Sequence, residues 1–325
     1  MKRRLLVSLL FAAVAFPLAG AKPSDDALAL VPADAASAGL VRVLDLRASP
    51  LFDRVFHETG RISGDADAAR FFAETGLNPK LDVDLVVFAG SPARSGSGWV
   101  LVAFEGRFDA AKLASAAAAR GAERKSTADG DYFLLKDTKH EGASHENGAI
   151  AFVSNRLIVA GTETAVAQAL SRRAAGGGGF AAGAGLGHET SRIDPKASAW
   201  ALVDMAKVPM AGRRGGGSGD EPAAAIVSAM QSVTLVALSV TADGDSLKLS
   251  ATGVSGDAET RQNLEDAIRG VLAVWRMAVQ EKQPDLVPVL RGFRVTQGDD
   301  SVTLAGTLPG PVLRELSARK MSAAR

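Results

Sequence analysis

Apolar positions recur along this chain in two rhythms, and each rhythm assigns its own elements. Short Val-rich runs bounded by Gly, Ser, Pro or Asp predict strands. They fall at Ala38 to Leu46, Val83 to Ala89, Gly98 to Phe104, Ala149 to Val153, Leu157 to Ala160 and Ala199 to Asp204. Further runs lie at Val233 to Ala242, Ser246 to Thr252, Phe293 to Thr296 and Ser301 to Thr307. Leu247, Leu249 and Ala251 alternate with Lys248, Ser250 and Thr252, which predicts one dry and one wet face. Val83 to Ala89 is apolar nearly throughout and reads as a strand buried on both sides. Spacings of three and four predict helices around Pro50 to Thr59, Asp65 to Glu74, Asp109 to Gly121, Thr162 to Arg173 and Glu221 to Gln231. The longest runs from an Asp257 cap to about Glu281, with Leu264, Ile268, Leu272, Trp275 and Val279 as its packed stripe and Gly270 as a point of close approach. Pro311 opens a last helix.

Turn chemistry then constrains topology. Asp129-Gly130, Ser154-Asn155-Arg156 and Asp243-Gly244 are tight turns, and strands joined that way are antiparallel. A doubly wound parallel sheet is excluded, and the expected class is α+β: antiparallel sheets built from hairpins, helices packed on them, two similar halves. Val240-Thr241, Asp245-Ser246 and Leu249 match Val295-Thr296, Asp300-Ser301 and Leu304 at one offset, which favours an internal repeat. The glycine-rich stretches Ala174 to Gly187 and Gly212 to Gly219 read as flexible loops. The first separates a half over residues 22–187 from one over residues 188–325.

Residues 1–21 have a separate logic. Met1-Lys2-Arg3-Arg4 is a basic head, Leu5 to Phe16 an apolar run broken only by Ser8, and Ala19-Gly20-Ala21 a small-x-small cleavage pattern. Twelve helical residues span about 18 Å, too short for a hydrocarbon core of about 30 Å. Export with cleavage between Ala21 and Lys22 is expected, to the periplasm or beyond, with no membrane span afterwards. Losing Lys2, Arg3 and Arg4 takes the formal charge from +1 to −2, which argues against a nucleic-acid partner. The absence of cysteine excludes a disulfide scaffold, thiolate metal sites and a catalytic thiol.

Leu30-Val31-Pro32-Ala33-Asp34-Ala35, the strand after it and Ser49-Pro50-Leu51-Phe52 resemble the opening of a family of uncharacterised exported bacterial proteins. In that family L-x-P-A-D follows a signal peptide and a G-F/L-x-P-x-x-D segment comes later. Gly76-Leu77-Asn78-Pro79-Lys80-Leu81-Asp82 is similar to the second motif, and Gly106-Arg107-Phe108-Asp109 is also similar to a passage of the family. These motifs mark turns and helix starts, so the resemblance implies architecture and location without an activity.

Candidate chemistry is sparse. Lys139 to Asn147 holds His140, Glu141, His145 and Glu146, donors that suit zinc. A spacing of five residues turns the imidazoles about 140° apart on a helix, unlike the four-residue spacing of metalloprotease ligands. The segment reads as a solvated hairpin loop, so neither metal nor cofactor is expected. His57 and His188 have no neighbours that suggest a triad. Ser95-Gly96-Ser97-Gly98 has Arg94 where a nucleophile elbow needs Gly and precedes a strand. Gly183 to His188 lacks the third glycine of a dinucleotide fingerprint, and Gly212 to Gly219 lacks the ending of a P-loop. Trp99, Trp200 and Trp275 are read as core. The expected function is a non-catalytic binding or interaction protein of the cell envelope, whose partner is an envelope protein or a small apolar ligand. Two alternatives stand beside it: an exported hydrolase, metal-assisted through His140 and His145, and a carrier holding an apolar ligand or lipid against the long helix.

Overall fold

Strands that are apolar on both faces need cover on both sides, and the computed structural model of this chain provides it. The structure describes residues 25–47, 66–92, 98–135, 147–208 and 233–315. The leader with Ala19, Ala21 and Lys22, the Pro50 to Thr59 helix with His57, the His140/His145 loop, Gly212 to Gly219 and the Glu221 to Gln231 helix lie outside these residues.

The elements follow the two rhythms closely. After a short α1 (Asp25–Leu28) come β1 (Ser37–Arg42), α2 (Val43–Arg47), α3 (Ala66–Thr75), α4 (Pro79–Asp82), β2 (Val83–Ser91) and β3 (Trp99–Gly106). Next are α5 (Ala110–Ala119), β4 (Glu123–Thr127), β5 (Gly130–Leu135), β6 (Gly148–Ser154), β7 (Leu157–Thr162) and α6 (Glu163–Ala174). A 3-10 helix (Gly185–Arg192) leads to β8 (Ala199–Asp204), β9 (Leu235–Asp243), β10 (Ser246–Val254), α7 (Ala258–Lys282), α8 (Leu286–Gly292), β11 (Arg294–Gln297) and β12 (Ser301–Leu308). The run expected as one strand from Ala38 to Leu46 breaks after Arg42, where the chain turns into α2.

The twelve strands of the described residues form one antiparallel sheet in the order β11-β12-β10-β9-β8-β1-β2-β3-β7-β6-β5-β4. The fold is therefore α+β, with strands from before and after residue 187 meeting where β1 pairs β8. Leu85, Val86 and Val87 are all buried, as expected of a strand covered on both sides. Leu85 and Val87 join a core with Leu40, Leu101, Leu202, Val166 and Leu170, whereas Val86 packs with Val41, Val102, Ile158 and Leu113 on the opposite face.

The glycine-rich stretch Ala174 to Gly187 is not the flexible loop its composition suggests. Phe180 and Leu186 are buried within the first core, and Phe180 stacks on Trp200 with ring centroids 6.0 Å apart. Gly185 has φ +56° and lies so close to Ala33 that a Cβ would overlap the Ala33 carbonyl oxygen. Glycine serves close packing here, a role composition cannot distinguish from entropy.

The β9–β10 and β11–β12 hairpins share a register. Val240 opposes Leu249 and Asp243 opposes Ser246 in one. Val295 opposes Leu304 and Gly298 bonds to Ser301 in the other. The residue matches seen in the sequence thus occupy equivalent hairpin positions.

Candidate functional site

The site grows from the longest helix. Asp257 starts α7 by accepting from the Thr260 backbone N–H at 2.6 Å, and the Thr260 hydroxyl together with that N–H holds its carboxyl below the ordinary range. The first half of α7 is amphipathic: Leu264 and Ile268 pack with Val236, Val295 and Val302 of the sheet and with Val233 just before β9. From Val271 to Val279 the residues are Val, Leu, Ala, Val, Trp, Arg, Met, Ala, Val, apolar all round except for Arg276. A helix of that kind is normally buried. This one is covered at Val271 and Leu272, yet Val274, Trp275 and Met277 are 39%, 56% and 64% exposed.

Trp275 therefore departs from the core role its spacing predicts. It lies three residues beyond Leu272 and four beyond Val271, on the packed side of the helix. Periodicity reports which way a side chain points; it does not report where the partner surface ends. Gly270 also differs from expectation, since nothing approaches within 4 Å of where its Cβ would stand. Trp200 is buried, and Trp99 packs partly buried against the first core.

Beneath this part of α7 lies β11, the last strand on its side of the sheet. The α8 segment returns from α7, and Arg276 ties the two by donating to the Leu290 carbonyl from Nε at 3.2 Å and from an Nη at 3.0 Å. Phe293 then lies flat over Gly306, where any Cβ would strike its ring. Between helix and edge is a cavity of about 420 Å³, lined by Arg269, Leu272, Arg276, Phe293 and the β11 residues Arg294, Val295 and Thr296.

Two properties define this cavity. Charge is the first. Arg269 is matched by Glu265 at 2.5 Å, but Arg276 is bonded to a neutral carbonyl. Among the described residues no carboxylate pairs with Arg276 or Arg294. Backbone is the second. Hydrogen-bonded and non-hydrogen-bonded pairs alternate in an antiparallel ladder. Counting back from the Gly298 to Ser301 bond, Thr296 and Arg294 are bonded to β12, whereas Val295 and Gln297 turn N–H and C=O away from it. The hairpin is held from behind by Arg192 of the 3-10 helix, which grips Asp300 with distances of 3.2 and 2.6 Å. That grip keeps the Asp300 carboxyl below the ordinary range.

No protein-family model and no curated protein matches the chain. Among solved structures it is similar to TP0453. Crystal form III of that protein aligns with a TM-score of 0.47 at 12% identity over 90% of this chain and 97% of that one. Form I gives 0.43 at 11% over 92% and 99%, and form IV gives 0.45 at 11% over 89% and 95%.

Of the residues singled out for chemistry, His188 lies exposed on the 3-10 helix, and the Gly183 to Gly187 glycines belong to the packed segment. Ser95 and Ser97 lie outside the described residues, and Gly98 precedes β3. Among the described residues no three His, Asp or Glu side chains are placed to hold a metal ion. A buried charge does occur at the end of β1: Arg42 donates to the Ala197 carbonyl beside Asp45. Burial lowers its pKa and Asp45 opposes that shift, an arrangement that anchors the β1–β8 junction. The α7–β11 site was not anticipated from sequence. Its one sequence signal is the unbroken apolar stretch around a solitary Arg276.

Proposed function

We propose that this chain is an exported, non-catalytic binding or interaction protein of the bacterial cell envelope, which meets its partner at the β11 edge under α7. The observation that carries this reading is an apolar helix segment left exposed beside a strand edge that no other described strand pairs. Exposed apolar surface of this kind marks interaction sites. Export rests on the basic head, apolar run and Ala19-Gly20-Ala21 pattern before Lys22. Among the described residues no helix is long and apolar enough to cross a membrane.

The reading includes two similar halves, supported by strand order. Outward from the β1–β8 pair, one direction runs β2, β3, β7, β6 and the other β9, β10, β12, β11. In each, a helix (α5 or α7) follows the third strand before the chain returns to the sheet. On this reading the overhanging α7 is the feature that distinguishes the second half.

The test is site-specific photocrosslinking in the native host with the full-length chain. A photoreactive residue at Met277 gives a discrete adduct to a component identified by mass spectrometry, while one at exposed Ser115 of α5 does not. Equal labelling from both positions, or none from Met277, overturns the reading. Fractionation of the same cells checks export, and full-size protein retained in the cytoplasm overturns that part.

A further inference from the structure

Resting on the interaction reading above, we infer that the β11 edge accepts an extended acidic–apolar peptide segment of another protein as an added antiparallel strand. Val295 and Gln297 present outward N–H and C=O groups, and an incoming strand satisfies them as the next rung of the ladder. Side chains of an added strand alternate between the two faces of the sheet. Those on the α7 side meet Leu272 and Phe293, with Arg276 of α7 at the rim of that same side. Those on the opposite side flank Arg294, whose charge no described carboxylate balances. Apolar residues alternating with acidic ones fit both faces.

Charge also decides against the simplest alternative occupant. In a second copy paired edge to edge through the outward groups of Val295 and Gln297, Thr296 opposes Thr296 and Arg294 opposes Gly298, so self-pairing brings no counter-charge to either Arg294. An acidic partner supplies that counter-charge and gains the attraction.

The experiment uses the mature full chain and two labelled eight-residue peptides, one alternating Glu and Val, the other Lys and Val. In fluorescence anisotropy at low salt the Glu/Val peptide binds at least about tenfold more tightly than the Lys/Val one, and Arg294→Glu weakens it by about tenfold or more. N-methylating alternate amides of the Glu/Val peptide abolishes binding in one register, a readout that leaves the protein unaltered. Binding that ignores N-methylation, or equal binding of both peptides, overturns strand addition. Concentration-dependent dimers of the protein alone that Gln297→Pro disperses, by removing an outward N–H, overturn it in favour of self-pairing. Binding of sodium laurate without binding of the peptide overturns it in favour of a small amphiphile. If the Met277 adduct forms and the peptide fails, strand addition falls and the interaction reading survives; loss of the adduct removes both.

Discussion

The two ends of the sheet are short strands finished in different ways. At β4, the sequence Glu-Arg-Lys-Ser-Thr neutralises itself: Lys125 pairs with Glu123 at 2.7 Å, and Arg124 pairs with Asp131 of β5. The pairing shows in the titrations: Glu123 holds the Lys125 ammonium above its ordinary value, and Arg124 holds the Asp131 carboxyl below its own. Charged side chains on an edge discourage further strands, and here those charges are already matched. At β11 the single charge, Arg294, has no described counter-charge, its neighbours Thr296 and Gln297 are neutral, and an apolar helix overhangs the edge without closing it. The two edges therefore differ in charge matching: the β4 charges are paired within the sheet, whereas Arg294 of β11 is free to pair with an incoming acidic group.

The largest test of that contrast lies in the roof. Leu272 is 5% exposed and Trp275 is 56% exposed, although both sit on the same side of α7. Leu272→Ala is expected to cost about 2–4 kcal/mol of unfolding free energy in a denaturant titration, as for other buried leucines. The clamp behind the hairpin comes next. Because Asp300 is half exposed, Asp300→Asn is expected to cost about 1 kcal/mol or less at neutral pH. The sign follows from the lowered carboxyl: its contribution is complete above the unfolded value of about 4, and is lost as pH falls through the lower folded one. The stability difference between wild type and Asp300→Asn therefore shrinks below pH 4, and a difference that grows there contradicts the assignment.

Trp275→Ala is the smaller counterpart of Leu272→Ala, expected to change stability by less than about 0.5 kcal/mol, as at other exposed sites. A loss as large as that for Leu272→Ala refutes the open roof. At the other edge, Arg124→Val combined with Lys125→Val should leave the unfolding midpoint unchanged and produce concentration-dependent association in sedimentation. If the double variant stays monomeric, charge is not what closes β4.

Much of the fold was legible because its signals are local. Asp109 and Asp257 cap their helices as read, and Asp243-Gly244 and Asn155-Arg156 lie at hairpin turns. Even here tertiary context intervened: Asn155 does not take the positive φ it tolerates, and its side-chain oxygen instead accepts from Ala110 at 3.2 Å. The site was far less legible. Arg276 and Arg294 are separated by α8 in the chain, and nothing in their spacing says that they line one cavity.

By itself the sequence determined the antiparallel α+β class, the length and start of α7, and the register shared by the two C-terminal hairpins. Each follows from side chains a few residues apart, whose periodicity, caps and turns act over short range. Only the tertiary structure decided that Phe180 is buried against Trp200, that Trp275 stays exposed, and that the charges of one edge are matched while Arg294 at the other meets no described carboxylate. Those outcomes depend on where a surface ends and which distant charge arrives beside it, and no local pattern carries that information.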